Sequence, residues 1–311
     1  MPPRTKKIAK PFPWQGSFDF LDQYKLFILP SLAGLFLFFI IPTGFTLFYA
    51  FTNIQGQFVF FSNFVDVLTN MTFQLAAQNS FRFIVVSLPL NIAIAFMLAS
   101  FLQGMKNKQV LALMFLLPMV VPSGAVVFFW NVLFADNGAI NRMLLQAGRE
   151  TIPWLFSDWA FTIVVLIFLV RNVGFNLVLF MAGYQFIPAD YYEVAKVEGA
   201  GPVATFRHVT GIYMLPTVFV VFMMSIINSF RIFREIYLLY GPYPHGSVYM
   251  LQHFMNNQFI SANMRRLSVT ATLFGFGVTV LVVGVFTAKG WVVSYFNGSG
   301  FNGSGLHKGG D

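Results

Sequence analysis

The chain has 311 residues, of which 57% are hydrophobic and 18% aromatic, while only 10% carry a charge, against about 25% in an ordinary soluble domain. A water-soluble globule of this length needs far more ionisable surface, so cytosolic enzymes and nucleic-acid binders are excluded despite the net charge of +8. Cysteine is absent, which removes disulfides, thiol nucleophiles and Cys-ligated metal or iron–sulfur sites.

A membrane-spanning helix requires roughly 20 apolar residues, and the sparse charges bracket six such segments. The first, 26–51, is too long for a signal-peptide core and no small-residue cleavage site follows it, so it reads as retained. Residues 80–103 and 109–134 form the second and third. The fourth, 160–184, carries one internal charge, Arg171; the fifth covers 212–238 and the sixth 267–292. Helices are required because hydrocarbon offers the backbone no other partners, and alternation of strand length is absent. The fold class is therefore all-α and polytopic: a cytoplasmic N-terminal segment 1–25, a six-helix membrane domain 26–293, and a flexible Gly-rich tail 294–311. Pro42, Pro89, Pro118 and Pro122 are expected to kink their helices, and Trp130 is expected in an interfacial aromatic belt.

Between the fourth and fifth spans lies IPADYYEVAKVEGAGPVATFRHVTGIYMLP. Asp190 with Glu193 resembles a capping box, predicting a short helix from Tyr191 to about Glu198. Gly199 can end it in a left-handed conformation. Gly201 and Pro202 suit the cap and first position of a second short helix reaching about Val209. Helices this short are unstable alone in water, so the pair must dock. It rests either in a groove of a partner protein, to which Val194, Val197 and Phe206 offer apolar contact, or on its own membrane domain.

Lys and Arg favour the cytoplasmic side. Placing both termini, the 104–108 loop and the 185–211 loop inside puts eleven basic residues there, against seven on the other side.

The elbow between spans four and five resembles the permease signature of binding-protein-dependent ABC importers, Glu-Ala-Ala, three residues, Gly, then a farther Leu-Pro. It stands here as Glu193-Val194-Ala195, Glu198, Gly199-Ala200, then Phe206-Arg207-His208. It departs at Val194 and at Gly211-Ile212, with Leu215-Pro216 slightly later. The resemblance extends over about 24–293, and YKLFILPSLAGLFLFFIIP, FLLPMVVPSGAVVFFWNVLF and SFRIFREIYLL are similar to the carbohydrate-uptake branch, that of maltose-type and glycerol-phosphate-type permeases. It implies a multi-pass protein of a bacterial or archaeal cytoplasmic membrane that moves a sugar, in particular an oligosaccharide, by alternating access. The implied partners are a second homologous permease, a dimer of ATP-binding-cassette ATPases that bind ATP and magnesium, and an extracytoplasmic solute-binding protein. The coupling loop would present Glu193, Val194, Ala195, Glu198, Gly199, Ala200, Phe206 and Arg207 to the ATPase. Independently, no G-x-x-x-x-G-K-[ST] phosphate loop occurs, so ATP hydrolysis is expected in a separate chain and no cofactor in this one.

Ionisable residues within a span are costly and mark function or packing. Arg171, with Asn172 and Asn176, serves either substrate contact or helix packing. Asn228, Phe230, Arg231 and Glu235 on span five form either a polyol path or an interfacial gate, with Arg231 and Glu235 four apart on one helical face. The four histidines are scattered and give no metal-ligand spacing. Competing readings are an ABC permease for another polar solute such as glycerol phosphate, an autonomous ion-coupled carrier, which would need carboxylates deep in a span, and a membrane-embedded enzyme, for which no nucleophile–base constellation is visible.

Overall fold

The computed structural model describes residues 28–299, with side chains as far as Thr287. Among these residues there is no β-strand beyond one isolated bridge, Thr52 with Phe58. Six helices are long and apolar enough to cross a membrane: Ile28–Phe51, Met71–Leu102, Ser123–Gln146, Trp159–Tyr184, Pro202–Tyr240 and Met264–Thr287. They are called spans one to six. The expected N-terminal segment 1–25 and most of the Gly-rich tail lie outside the described residues, and the backbone of the sixth helix runs on to Ser299.

Span four, Trp159–Tyr184, is the axis of the bundle. Phe168, Phe180, Leu177, Val164 and Ile167 on it are almost wholly buried, and spans two and five and the shorter apolar helix Lys108–Val120 that precedes span three pack around it. Two glycines allow the close approach. A methyl group added at Gly174 would lie 1.9 Å from the carbonyl oxygen of Phe115, and one at Gly183 would meet the Thr217 side chain at 2.5 Å. Aromatic edges interlock across the same seam, with Phe83 against Phe168 at 5.3 Å and Phe96 against Phe180 at 5.2 Å. Span one is the opposite case. It buries almost nothing against this chain and packs along one side on span six, leaving Phe38, Phe39 and Phe45 exposed, as suits a helix whose solvent is lipid or another membrane subunit.

The sequence places a single helix over 109–134, and the structure corrects this. A first half, Lys108–Val120, stops at Val121 in an extended conformation, and a second half starts at Ser123 after Pro122. Pro122 has no N–H to continue the ladder and disfavours helix at the preceding residue. Span two starts at Met71, nine residues before the expected position, because Asn70 caps it by accepting a hydrogen bond from the Phe73 N–H at 3.0 Å. Trp130 is not a belt residue: it is buried and stacks on Phe134 at 5.6 Å.

Three short helices, two between spans and one the last segment of span three, close the bundle end that lies away from the elbow. Ser62–Leu68 is tied to span six by Asp66, whose carboxylate receives the Arg266 guanidinium at 2.9 and 3.1 Å; that bond holds the Asp66 carboxyl below its ordinary pKa. Ala139–Gln146 is anchored through buried Asn141, which bonds the backbone of Ile152 and the indole of Trp154. Leu251–Ile260 packs on spans two and six. The loop before it is fastened to span two, since Asn79 Nδ2 donates to the carbonyls of Gly246 and Tyr249 at 2.6 and 2.9 Å.

Two outcomes follow from this packing. Gly174→Ala should lower the thermal midpoint of the purified protein well below wild type, whereas Gly34→Ala, where the added methyl meets nothing within 4 Å, should leave it unchanged or slightly raised; differential scanning fluorimetry in detergent distinguishes them. His253 on Leu251–Ile260 is fully buried, its Nδ1 accepting from the Met250 N–H at 3.3 Å, and burial lowers its pKa from 6.5 to about 4. The unfolded chain therefore binds a proton that the folded chain refuses, so stability should fall as pH drops from 6.5 toward 4. Thermal midpoints measured across that window should fall less steeply for His253→Gln than for wild type.

Candidate functional site

Arg171 sits near the middle of Trp159–Tyr184, about 18 Å along the helix from Trp159 at 1.5 Å per residue. Its side chain is 17% exposed, and its Nη1 lies 3.1 Å from Oε1 of Glu235, which is 7% exposed. The same carboxylate oxygen accepts from Ser123 Oγ at 2.8 Å. Arg171 Nη2 donates to the carbonyl of Met119 at 3.4 Å, one of the helix-end carbonyls that the break at Pro122 leaves without an intrahelical partner. Span five is interrupted at the same level: the helix Gly211–Arg231 ends at Ile232 and resumes as Phe233–Tyr240. The pair thus joins three spans where two of them are broken.

Beside it opens a cavity of about 320 Å³, whose lining includes Arg171, Asn172, Asn228, Arg231, Arg234 and Glu235. Asn228 Oδ1 accepts from Arg231 Nη1 at 3.5 Å, and Asn172 Nδ2 donates to the carbonyl of Phe168 at 2.8 Å, a turn back on its own helix. Two of the path residues expected from the sequence do not face this space. Asn176 is fully buried, its Nδ2 donating to Asn91 Oδ1 and, at 2.8 Å, to Ser225 Oγ, so it clamps spans two, four and five together. Phe230 packs edge-on against Phe274 of span six at 4.9 Å. Hydropathy gives Asn172 and Asn176 equal weight, and four residues apart they share a helical face, so only their depth along span four and the neighbours met there separate them. Ser123 was not anticipated; its position directly after a proline in an apolar run was the available signal.

The elbow lies at the opposite end of span five. Its first helix is Ala189–Val197, capped by Pro188, so it begins two residues before the expected start; Asp190 falls inside the first turn and makes no capping bond. Gly199 has φ +73°. Hydrogen bonds from the Ala200 N–H to the Ala195 carbonyl at 2.9 Å and from the Gly199 N–H to the Lys196 carbonyl at 3.1 Å complete a Schellman ending. Gly201 caps the second arm, with Pro202 in its first turn. That arm is not the separate short helix expected from the sequence. It passes through a π turn, Phe206–Thr210, and continues into Gly211–Arg231 without a stop, because nothing between Thr205 and Gly211 breaks helical geometry. Tyr192 staples the first arm to this helix, its hydroxyl 3.1 Å from Thr210 Oγ1, and the Tyr191 and Tyr213 rings meet at 5.0 Å. Ala195 and Val209 are buried toward the bundle, while Val194, Val197, Val203 and Phe206 are 54, 88, 81 and 50% exposed. Glu193, Glu198 and Arg207 are exposed among them, and Ala200 is half-buried at the turn.

Residues 91–293 match the family described as "Binding-protein-dependent transport system inner membrane component". The chain belongs to this family. The permease is 28% identical over 220 residues to the lactose transport system permease protein LacF of Rhizobium radiobacter, covering 68% of this chain and 74% of that one. It is 27% identical over 231 residues to the arabinooligosaccharides transport system permease protein AraP of Bacillus subtilis, covering 72% and 74%. Its fold matches a chain in the crystal structure of a bacterial ABC transporter involved in the import of the acidic polysaccharide alginate, with a TM-score of 0.75 at 19% identity over 87% of this chain and 96% of that one. The permease is thus a multi-pass membrane protein whose family members carry solutes rather than transform them.

Removing one partner of a buried ion pair strands the other and costs about 3–5 kcal/mol, whereas replacing both with apolar groups is often neutral. Glu235→Gln and Arg171→Met should each markedly lower the thermal midpoint of the permease, and Arg171→Met with Glu235→Met should recover most of it. Denaturation of the three variants in detergent, read as a double-mutant cycle, gives the coupling directly.

Proposed function

We propose that this permease is the membrane subunit of an ATP-driven importer for saccharides, oligosaccharides in particular, and that its elbow is the seat of a separate ATPase. The observation that carries the mechanism is the single helix joining elbow to cavity. From Pro202 to Arg231 it spans about 44 Å, with the exposed valines of the elbow at one end and Asn228 and Arg231 of the cavity at the other. Relatives named for lactose and arabinooligosaccharides support a sugar as cargo.

The elbow end is the cytoplasmic end in this reading, which also puts both chain termini in the cytoplasm. Val194, Val197, Val203 and Phe206 dock in an apolar groove of the ATPase, the helix-in-groove mode of recognition, and the partner holds the ATP and magnesium. Closure of the ATPase pair displaces the elbow. The Tyr192–Thr210 staple transmits that displacement to span five, and the Arg171–Glu235 pair carries it to span four, so the cavity opens alternately to either side. A second, homologous permease faces the exposed helices of this one, and an extracytoplasmic binding protein delivers the saccharide.

Gly199 tests the elbow. A Cβ there meets no neighbour within 4 Å, so a substitution acts through backbone strain alone. Gly199→Val should leave the assembled complex intact while cutting saccharide uptake in cells to a tenth or less and releasing ATP hydrolysis from substrate control. Gly199→Asn, which tolerates positive φ, should retain much of the uptake. Wild-type uptake by Gly199→Val contradicts the assignment.

A further inference from the structure

The charges of the cavity do not balance. It is lined by three guanidinium groups, Arg171, Arg231 and Arg234, and one carboxylate, Glu235. Glu235 is committed, since its Oε1 already accepts from Arg171 and Ser123. Arg171 is committed to that carboxylate and to the Met119 carbonyl. Two positive charges are left over. Arg231 makes one long contact, 3.5 Å to Asn228 Oδ1, and Arg234 makes no hydrogen bond or ion pair among the described residues. Both are exposed, although the intervening Ile232 and the adjacent Glu235 are buried.

Their depth makes this surplus informative. Glu235 is bound to the middle of span four, and Arg231 and Arg234 lie within about one helical turn of Glu235, so both stand near that level rather than at a span end, where long basic side chains ordinarily reach water. A neutral polyol needs acceptors as well as donors. Here Glu235 Oε1 is engaged by Arg171 and Ser123, and Asn228 Oδ1 by Arg231. That leaves few acceptors, Glu235 Oε2 and Asn172 Oδ1, beside two further guanidinium groups that only donate and whose charge no carboxylate of the lining balances. A group that only accepts, carries negative charge and has the spacing of a guanidinium fork satisfies the lining.

We propose that the cavity selects saccharides bearing a fixed anionic group, a carboxylate, sulfonate or phosphate, and that Arg231 and Arg234 hold that group during passage. The proposal rests on the saccharide-permease reading and narrows it to an acidic sugar. Arg171 and Glu235 are positioning residues in this arrangement: they hold spans four and five together at the level where Arg231 and Arg234 line the cavity.

The test is uptake by the complete importer, permease with its partner subunits, in cells and proteoliposomes. The probes are matched neutral and uronic-acid disaccharides, a sulfonated hexose and a hexose phosphate, with inorganic phosphate as competitor. At least one acidic saccharide should be taken up in preference to its neutral counterpart. Arg231→Gln and Arg234→Gln should each raise its half-saturating concentration tenfold or more, with Arg234→Lys in between, and inorganic phosphate should compete only at far higher concentration. Preferential uptake of neutral saccharides, unchanged in both glutamine variants, overturns the anionic selectivity and leaves the saccharide permease standing. Failure of every saccharide, with another solute imported, overturns both. Competition by inorganic phosphate at the saccharide's own concentration makes the site one for free anions and overturns the proposal. So does loss of complex assembly in Arg234→Gln without a change in half-saturation, because the guanidinium then pairs with an acid of the neighbouring subunit.

Discussion

A charge placed in the middle of an apolar helix has to be answered by another, and in this permease that requirement organises the centre of the bundle. Arg171 cannot face lipid, so span four turns it toward Glu235 and Ser123. Glu235 is brought to it by the helix that resumes after Ile232, and Ser123 by the helix that starts after Pro122. The breaks in spans three and five and the ion pair are one device. The break at Pro122 frees helix-end carbonyls, and the Arg171 guanidinium engages one of them, that of Met119, while the Ser123 hydroxyl engages Glu235.

Around that centre the structure separates polar groups that lock from polar groups that are free to bind. Asn91, Asn176 and Ser225 form a buried knot holding spans two, four and five. Asn172 and Asn228, a turn or less away in depth, line open space. In a membrane the gain from burying apolar surface between helices is small, because lipid is as apolar as leucine. Close contacts such as Gly174 on Phe115, and hydrogen-bonded knots of this kind, therefore carry much of the packing.

The continuity of span five joins this centre to the elbow. A flexible linker between Pro202 and Gly211 would absorb any displacement of the first arm; a helix passing through a single π turn instead transmits it along its axis. The π turn adds one residue to the helical circuit and so sets which face of Gly211–Arg231 meets span four. Its occurrence between docking surface and cavity fits the tendency of such turns to lie at functional positions.

Much of this was legible in the residues alone. Six spans, the turn at Gly199 and the Gly201–Pro202 start were readable because each depends on local composition or on the backbone freedom of one or two residues. The break at Pro122 was legible only as a kink, since a proline fixes the loss of a hydrogen bond but not whether the chain bends or stops. The second elbow arm was misjudged because a helix start is written locally, whereas its continuation depends on the absence of a later stop. Residue type alone could not tell which of Asn172, Asn176, Phe230 and Arg231 line the cavity and which pack between helices. Their roles depend on which face of each helix meets which neighbour, and that is decided by contacts between residues distant in the chain. The sequence by itself thus determined the solvent of this protein and the number of its crossings. Only the tertiary structure decided that Arg171 is neutralised and that, among the described residues, Arg231 and Arg234 meet no carboxylate, because charge pairing depends on distance in space.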